Sequence, residues 1–274
     1  MDRIEIPSYD ALPMEAIAPG VIGLRIAFVN VFAVTSPDGT WTLIDAALPY
    51  SASHIKGWAE KHFAGPPNAI LLTHGHFDHV SAARELAEVW DVPIYAHPLE
   101  FPYLTGREAY PAPNWAAGGG GMSLMSPTLP KGPVDLGDRL VHLPGDGTEL
   151  RLEHLPGWTI LHTPGHTPGH ISLFRQEDRT LLVGDAFCTT KPESFFEAAI
   201  LQHTELHGPP AYFTSDWGAA GRSVGKLAAL EPAIVVPGHG RPLGGPDVAP
   251  ALSRLAEEFD RIAVPDNKKD ATSM

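Results

Sequence analysis

Residues 68–80 read Asn-Ala-Ile-Leu-Leu-Thr-His-Gly-His-Phe-Asp-His-Val. A short apolar run, which reads as a buried strand, passes directly into His74, His76, Asp78 and His79. A loop in that place aims side chains outward from the end of a sheet. The same arrangement recurs: His166 follows Ile-Leu-His-Thr-Pro-Gly, Asp185 follows Leu-Leu-Val-Gly, and His239 follows Ile-Val-Val-Pro-Gly. Any one of these alone reads as a satisfied polar residue at a strand end. Their recurrence at successive strand ends points to metal binding. Neutral imidazole and carboxylate suit zinc and other borderline divalent ions. One tight loop cannot turn four such groups onto one ion, so two neighbouring ions are expected.

The rest of the chain supplies a scaffold for such an edge. Residues 21–36 read as strand, as a hairpin pair, and 40–48 as another strand. A helix with a Ser51 cap follows, then the strand 68–73, a helix over 81–90 and a strand over 92–97. Strands over 158–163, 170–175 and 179–185 lead to a helix over 217–230, a buried strand at 233–238 and a last helix within 247–262. This alternation predicts sheets covered by helices, an α/β class. Residues 1–20 form an N-terminal segment and 263–274 a flexible tail around one domain, 21–262. Between about 101 and 150 the pattern breaks into prolines and four consecutive glycines. Trp115, Met122, Leu124, Met125 and Leu129 give this insert something to bury, so it reads as a packed lid rather than a disordered linker.

Composition narrows the partners. The 274 residues carry 19 Lys and Arg against 32 Asp and Glu, a formal charge of −13. Such a balance disfavours a nucleic-acid partner and fits a small-molecule substrate. No stretch approaches a membrane span and no apolar secretory leader is visible. Cys188 is the single cysteine. No internal disulfide can form, and a reducing, cytoplasmic compartment is expected.

In this order, the motifs His-Gly-His-Phe-Asp-His, Thr-Pro-Gly-His-Thr, Gly-Asp and Pro-Gly-His-Gly resemble those of the metallo-β-lactamase-fold hydrolases, over about residues 20–262. Leu-Ile-Asp-Ala-Ala (43–47) resembles the family's early Leu-Ile-Asp element, with Ala where Gly is usual. The resemblance implies a four-layer αβ/βα sandwich with two divalent ions at one edge, zinc first, then manganese, iron or cobalt. One ion would take His74, His76 and His166. The other would take Asp78, His79 and His239, with Asp185 bridging. Asp45 and His170 would support the ligands from behind, so only one histidine of the echo Thr-Pro-Gly-His-Thr-Pro-Gly-His (163–170) is a ligand.

Two adjacent ions can share a hydroxide, which attacks an ester, lactone or thioester carbonyl without a protein nucleophile. Asp78 and Asp185 would be the carboxylates at the reaction centre. Phe77, Cys188 and Lys191 are candidates for substrate contact.

Asp185 resembles the glyoxalase II, lactonase and esterase branch more than the zinc β-lactamases. The chain beyond His239 is too short for the glutathione-binding helices of glyoxalase II. Cys188 stands where acyl-homoserine lactonases carry tyrosine. Mononuclear iron oxidoreductases of the persulfide dioxygenase type, and phosphodiesterases or nucleases on the same scaffold, are the alternative readings.

Overall fold

Alternation along the strands sends neighbouring side chains into different apolar layers. The computed structural model describes residues 4, 6, 8–117, 120–132, 134–145, 150–194 and 203–266. Its strands are β1 (Asp10–Ala11), β2 (Val21–Ile26), β3 (Val29–Thr35), β4 (Trp41–Ile44), β5 (Ala69–Leu71), β6 (Ile94–Ala96), β7 (Leu140–His142), β8 (Trp158–His162), β9 (Ile171–Arg175), β10 (Thr180–Gly184), β11 (Ile234–Pro237) and β12 (Leu243–Gly244). Its α-helices are α1 (Ala52–His62), α2 (Phe77–Val80), α3 (Ala83–Trp90), α4 (Phe101–Leu104), α5 (Gly121–Met125), α6 (Trp217–Ala228), α7 (Val248–Glu257) and α8 (Phe259–Ile262).

Two mixed sheets result, ordered β2-β3-β4-β5-β6-β7 and β1-β12-β11-β10-β9-β8. In the first, Val31, Ala33, Leu43 and Ile70 pack with Ile55 of α1 and Leu86 of α3. Their neighbours Phe32, Val34, Ile44 and Leu71 face the other way and meet Ile171, Leu173, Leu182 and Val236 of the second sheet. Leu181, Val183 and Val235 leave the second sheet on its far side, toward Val224 of α6, Leu252 of α7 and Phe259 of α8. The order of layers is therefore helices, sheet, sheet, helices, which is the αβ/βα sandwich.

Strand direction then creates the site. β4 and β5 run parallel, as do β10 and β11. β9 is antiparallel to both β10 and β8, so the β8–β9 turn lies at the edge where β10 ends. Four strand ends and one turn thus converge. Asn30 of β3 stitches the sheets together there. Its N–H donates to the Gly238 carbonyl at 2.9 Å, and its Nδ2 donates to Pro237 and Gly240 carbonyls at 2.9 and 2.8 Å. Ile171 N–H donates to the Thr73 carbonyl at 2.9 Å from the other side.

Several local expectations change. The loop after β5 contains a helical turn, α2, that begins at Phe77. Ser51 does sit at the N-cap of α1, but its side chain makes no capping hydrogen bond. The insert holds α4, α5 and β7, and β7 extends the first sheet beside β6. Of its large apolar side chains Met122 is buried, while Trp115, Leu124 and Met125 are exposed. The insert is fastened instead by Leu104, Tyr110, Ala117 and Leu136, all buried. Backbone bonds run from Asn114 N–H to the Tyr212 carbonyl at 2.8 Å and from Met122 N–H to the Glu193 carbonyl at 2.9 Å. Toward the end of the chain Ala263 and Val264 are buried, so packing extends past 262; residues 267–274 of the expected tail lie outside the described residues. No helix among the described residues is long and apolar enough to cross a membrane.

Candidate metal centre

All seven ligand-type residues singled out by the motifs meet at the converging edge. Ligand atoms of His74, His76 and His166 form one group, those of Asp78, His79 and His239 a second, and His74, His79 and Asp185 a third between them. Asp185 is the hub. Its Oδ2 lies 3.2 Å from His239 Nε2, 3.4 Å from His166 Nε2 and 4.0 Å from His74 Nε2, and its Oδ1 lies 3.5 Å from His79 Nε2. Asp78 Oδ2 stands 3.4 Å from His239 Nε2. Two donors on one tetrahedral zinc with bonds of about 2.1 Å stand about 3.4 Å apart. The spacing therefore matches donors gathered around ions. The helical turn α2 carries Asp78 and His79, while His74 and His76 precede it.

The rear nitrogen of most rings is already committed, which fixes the front one. Thr73 gives its hydroxyl proton to Asp45 Oδ2 at 2.8 Å, so its oxygen accepts from His74 Nδ1 at 3.0 Å. His79 Nδ1 donates to Asp45 Oδ2 at 2.8 Å, and His239 Nδ1 donates to the Phe28 carbonyl at 2.8 Å. Thr214 donates to the Pro210 carbonyl at 2.8 Å, so its oxygen accepts from His166 Nδ1 at 3.1 Å. Each of these four rings turns Nε2 toward the cluster. His76 instead presents Nδ1, 2.9 Å from His166 Nε2. A hydrogen bond behind a ring selects its tautomer and aim, as is usual behind metal-ligating histidines.

The cluster has unmet bonding capacity in front. His74 Nε2, His79 Nε2 and Asp185 Oδ1 are buried without a hydrogen-bond partner among the described residues. Buried polar atoms are normally satisfied. Burial drives His74 and His166 well below the ordinary imidazole range, with neighbouring histidines adding to the effect. Burial also pushes His76 down to about 3. Burial opposes ionisation of Asp185, yet the His239 and His79 rings hold its carboxyl well below the carboxylate range. For His79 and His239 burial is outweighed by Asp185, and both are raised. Neutral His74, His76 and His166 rings, with the Nε2 of His74 left unpartnered among the described residues, beside an ionised, buried carboxylate fit divalent cations.

His170 is placed differently. Its Nε2 accepts the Asp185 N–H at 2.9 Å and its Nδ1 faces the Thr163 hydroxyl and carbonyl at 2.9 and 3.1 Å, so both nitrogens are used. Burial pushes it down to about 4. Asp45 takes the left-handed conformation, φ 61°, which Asp tolerates better than most residues. From there it accepts the Thr73 N–H at 2.8 Å as well as the bonds already described. Phe77 is nearly buried, with its ring 6.5 Å from Phe213. Cys188 is fully buried, paired through its backbone with His207, and burial raises its thiol well above the ordinary range. Lys191 is partly exposed, just before residues 195–202, which lie outside the described residues. Thr73, Thr214 and Glu100 complete the surroundings without having been singled out by any motif.

Residues 24–239 match the model of the metallo-beta-lactamase superfamily, and the chain belongs to that superfamily, a class of metal-dependent hydrolases. It is 42% identical over 249 residues to the Bacillus subtilis (strain 168) protein named "Probable metallo-hydrolase YflN", covering 89% of this chain and 93% of that one. A second protein of that organism, "Probable metallo-hydrolase YybB", is 35% identical over 176 residues, 64% of this chain and 66% of that one. Among solved structures, TTHA1623 in a di-iron-bound form is 28% identical with a TM-score of 0.55, covering 82% of this chain and 93% of that one. The B3 metallo-beta-lactamase BLEG-1 is 23% identical with a TM-score of 0.58, covering 86% and 95%, and shares the fold.

Asp45→Asn tests how the edge is held. The amide keeps one acceptor oxygen but turns an NH2 toward the Thr73 hydroxyl or His79 Nδ1. Loss of these charge-assisted bonds is expected to destabilise the metal-free protein by about 2–3 kcal/mol. Denaturant unfolding reads this; an unchanged midpoint contradicts it.

Proposed function

We propose that this chain is a dinuclear metal-dependent hydrolase acting on the carbonyl of an ester, lactone or thioester. One observation carries the reading: donor sets gather on both sides of Asp185, and polar atoms of His74, His79 and Asp185 there are buried without a hydrogen-bond partner among the described residues. His74, His76 and His166 would hold one ion, Asp78, His79 and His239 the other, with Asp185 shared. Two divalent ions, once bound, supply a water activated near neutral pH and a Lewis acid for the carbonyl oxygen. Zinc fits the nitrogen and oxygen donors. Iron fits them too, as the di-iron form of TTHA1623 illustrates.

The protein's own part is to place and enclose. Asp45, Thr73, Thr214 and the Phe28 carbonyl fix the imidazoles from behind. Asp78 and Asp185 put carboxylates at the reacting centre. Phe213 lies 4.8 Å from the His76 ring, and Phe28 stacks on His239 at 5.9 Å. These aromatic walls favour a small substrate with an apolar portion. Residues 101–150 would act as the lid, reaching the 193 and 212 segments through the backbone bonds described above. Phe77 and Lys191 would border the substrate, with Cys188 behind them as a buried filler. The acidic charge of −13 disfavours phosphate-backbone partners.

The test pairs elemental analysis of protein purified without chelator with a panel of lactones, thioesters, phosphodiesters and β-lactams. Carbonyl hydrolysis that requires metal is expected. A single iron per chain with oxygen uptake and no hydrolysis contradicts the reading.

His166→Ala is expected to lose metal and hydrolysis together. His170→Ala should keep its metal and lose stability or part of the rate. Equal metal loss in both variants overturns the ligand assignment.

Replacing residues 112–130 with a brief Gly-Ser link should leave metal bound and change relative rates across the panel more than activity on a small activated ester. Unchanged relative rates make the segment a connector only.

A further inference from the structure

Glu100 is fully buried in the turn that follows β6, outside the ligand set. Its Oε2 accepts the Gly75 N–H at 2.9 Å and the Tyr110 hydroxyl, and its Oε1 accepts the Gly169 N–H at 2.6 Å. Gly75 lies between His74 and His76. Gly169 lies in the turn that carries His166, next to His170. Its two peptide donors lie 25 and 69 residues away in sequence. The approach is close on both sides. A Cβ at Gly75 would fall 2.3 Å from the Tyr110 hydroxyl oxygen, and one at Gly169 would fall 2.7 Å from the Glu100 Cγ. Tyr110 belongs to the insert, and its ring stands edge-on to His76 at 4.6 Å.

We propose that Glu100 is a positioning residue that clamps the two ligand-bearing loops to each other, and that Tyr110 ties the insert to the same carboxylate. The clamp sets the distance between the His74–His76 loop and the His166 turn, so it decides whether those three rings converge on one ion. This inference rests on the metal reading of the site. A carboxylate suits the task because it accepts several hydrogen bonds at once and strengthens each by its charge. Glutamine keeps the shape but has one acceptor oxygen, and its NH2 would face a donor.

The test uses the full chain as wild type, Glu100→Gln and Tyr110→Phe. In metal-free protein, hydrogen exchange at the Gly75 and Gly169 amides reads the clamp itself. It should quicken at least about tenfold in Glu100→Gln, with little change in the amides of α6. Titration with cobalt(II) reads its consequence. Affinity should fall about 10- to 100-fold in Glu100→Gln, with an altered visible spectrum, and by less in the same direction in Tyr110→Phe.

A variant that is destabilised throughout, yet binds cobalt with wild-type affinity and spectrum, shows a merely structural role and overturns the proposal. Unchanged exchange at both amides does so too. If Glu100→Gln does not fold, Tyr110→Phe decides: wild-type affinity and spectrum there count against the clamp. Wild-type protein that takes up no cobalt overturns the metal reading, while the exchange measurement still judges the clamp.

Discussion

The carboxylate of Asp185 is the interaction on which the rest of the edge depends. It is buried where water cannot solvate it, and four imidazoles stand within 3.2–4.0 Å of its oxygens. A buried charge of this kind needs opposite charge and hydrogen bonds around it. His170 accepts the Asp185 N–H and so fixes the backbone that carries it. The rings in front are held by their rear nitrogens. The second sheet thus brings the hub, and the loops of both sheets bring the donors.

This arrangement explains why the site needs the whole sandwich. Asp45 and the His74–His79 stretch follow strands of one sheet, while His166, Asp185 and His239 come from the other. The layer of Phe32, Val34, Ile44 and Leu71 against Ile171, Leu173, Leu182 and Val236 fixes the separation of the sheets. Close-packed interiors transmit displacement rather than absorb it. A cavity in that layer would therefore shift His166, Asp185 and His239 relative to the His74–His79 stretch, and so open each donor set from within.

Much of this edge was legible in the sequence because the ligand-type side chains gathered there follow short apolar strands in recognisable motifs. Short apolar runs rich in Val, Ile, Leu and Phe also marked the strands that supply the sandwich. What escaped was set by contacts distant in sequence. β1 and β12 are two-residue strands, too short to carry a periodic pattern, and β1 is set by its pairing with β12. β7 follows a proline-rich stretch and is assigned by its partner β6. Glu100 sits in a turn without any motif, and its role depends on Gly75, Gly169 and Tyr110. Trp115, Leu124 and Met125 misled in the other direction, because apolar identity does not say which face of an insert is covered. Ser51 likewise occupies a capping position without making the bond.

Asp185 is proposed to join two ions through its one carboxylate. Electron paramagnetic resonance of protein loaded with manganese(II) tests this directly. Two ions bridged by Asp185 are exchange-coupled, and the account predicts a coupled-pair spectrum that grows in as the second equivalent binds. Isolated, uncoupled manganese at saturation, or uptake that stops at one ion per chain, would contradict it.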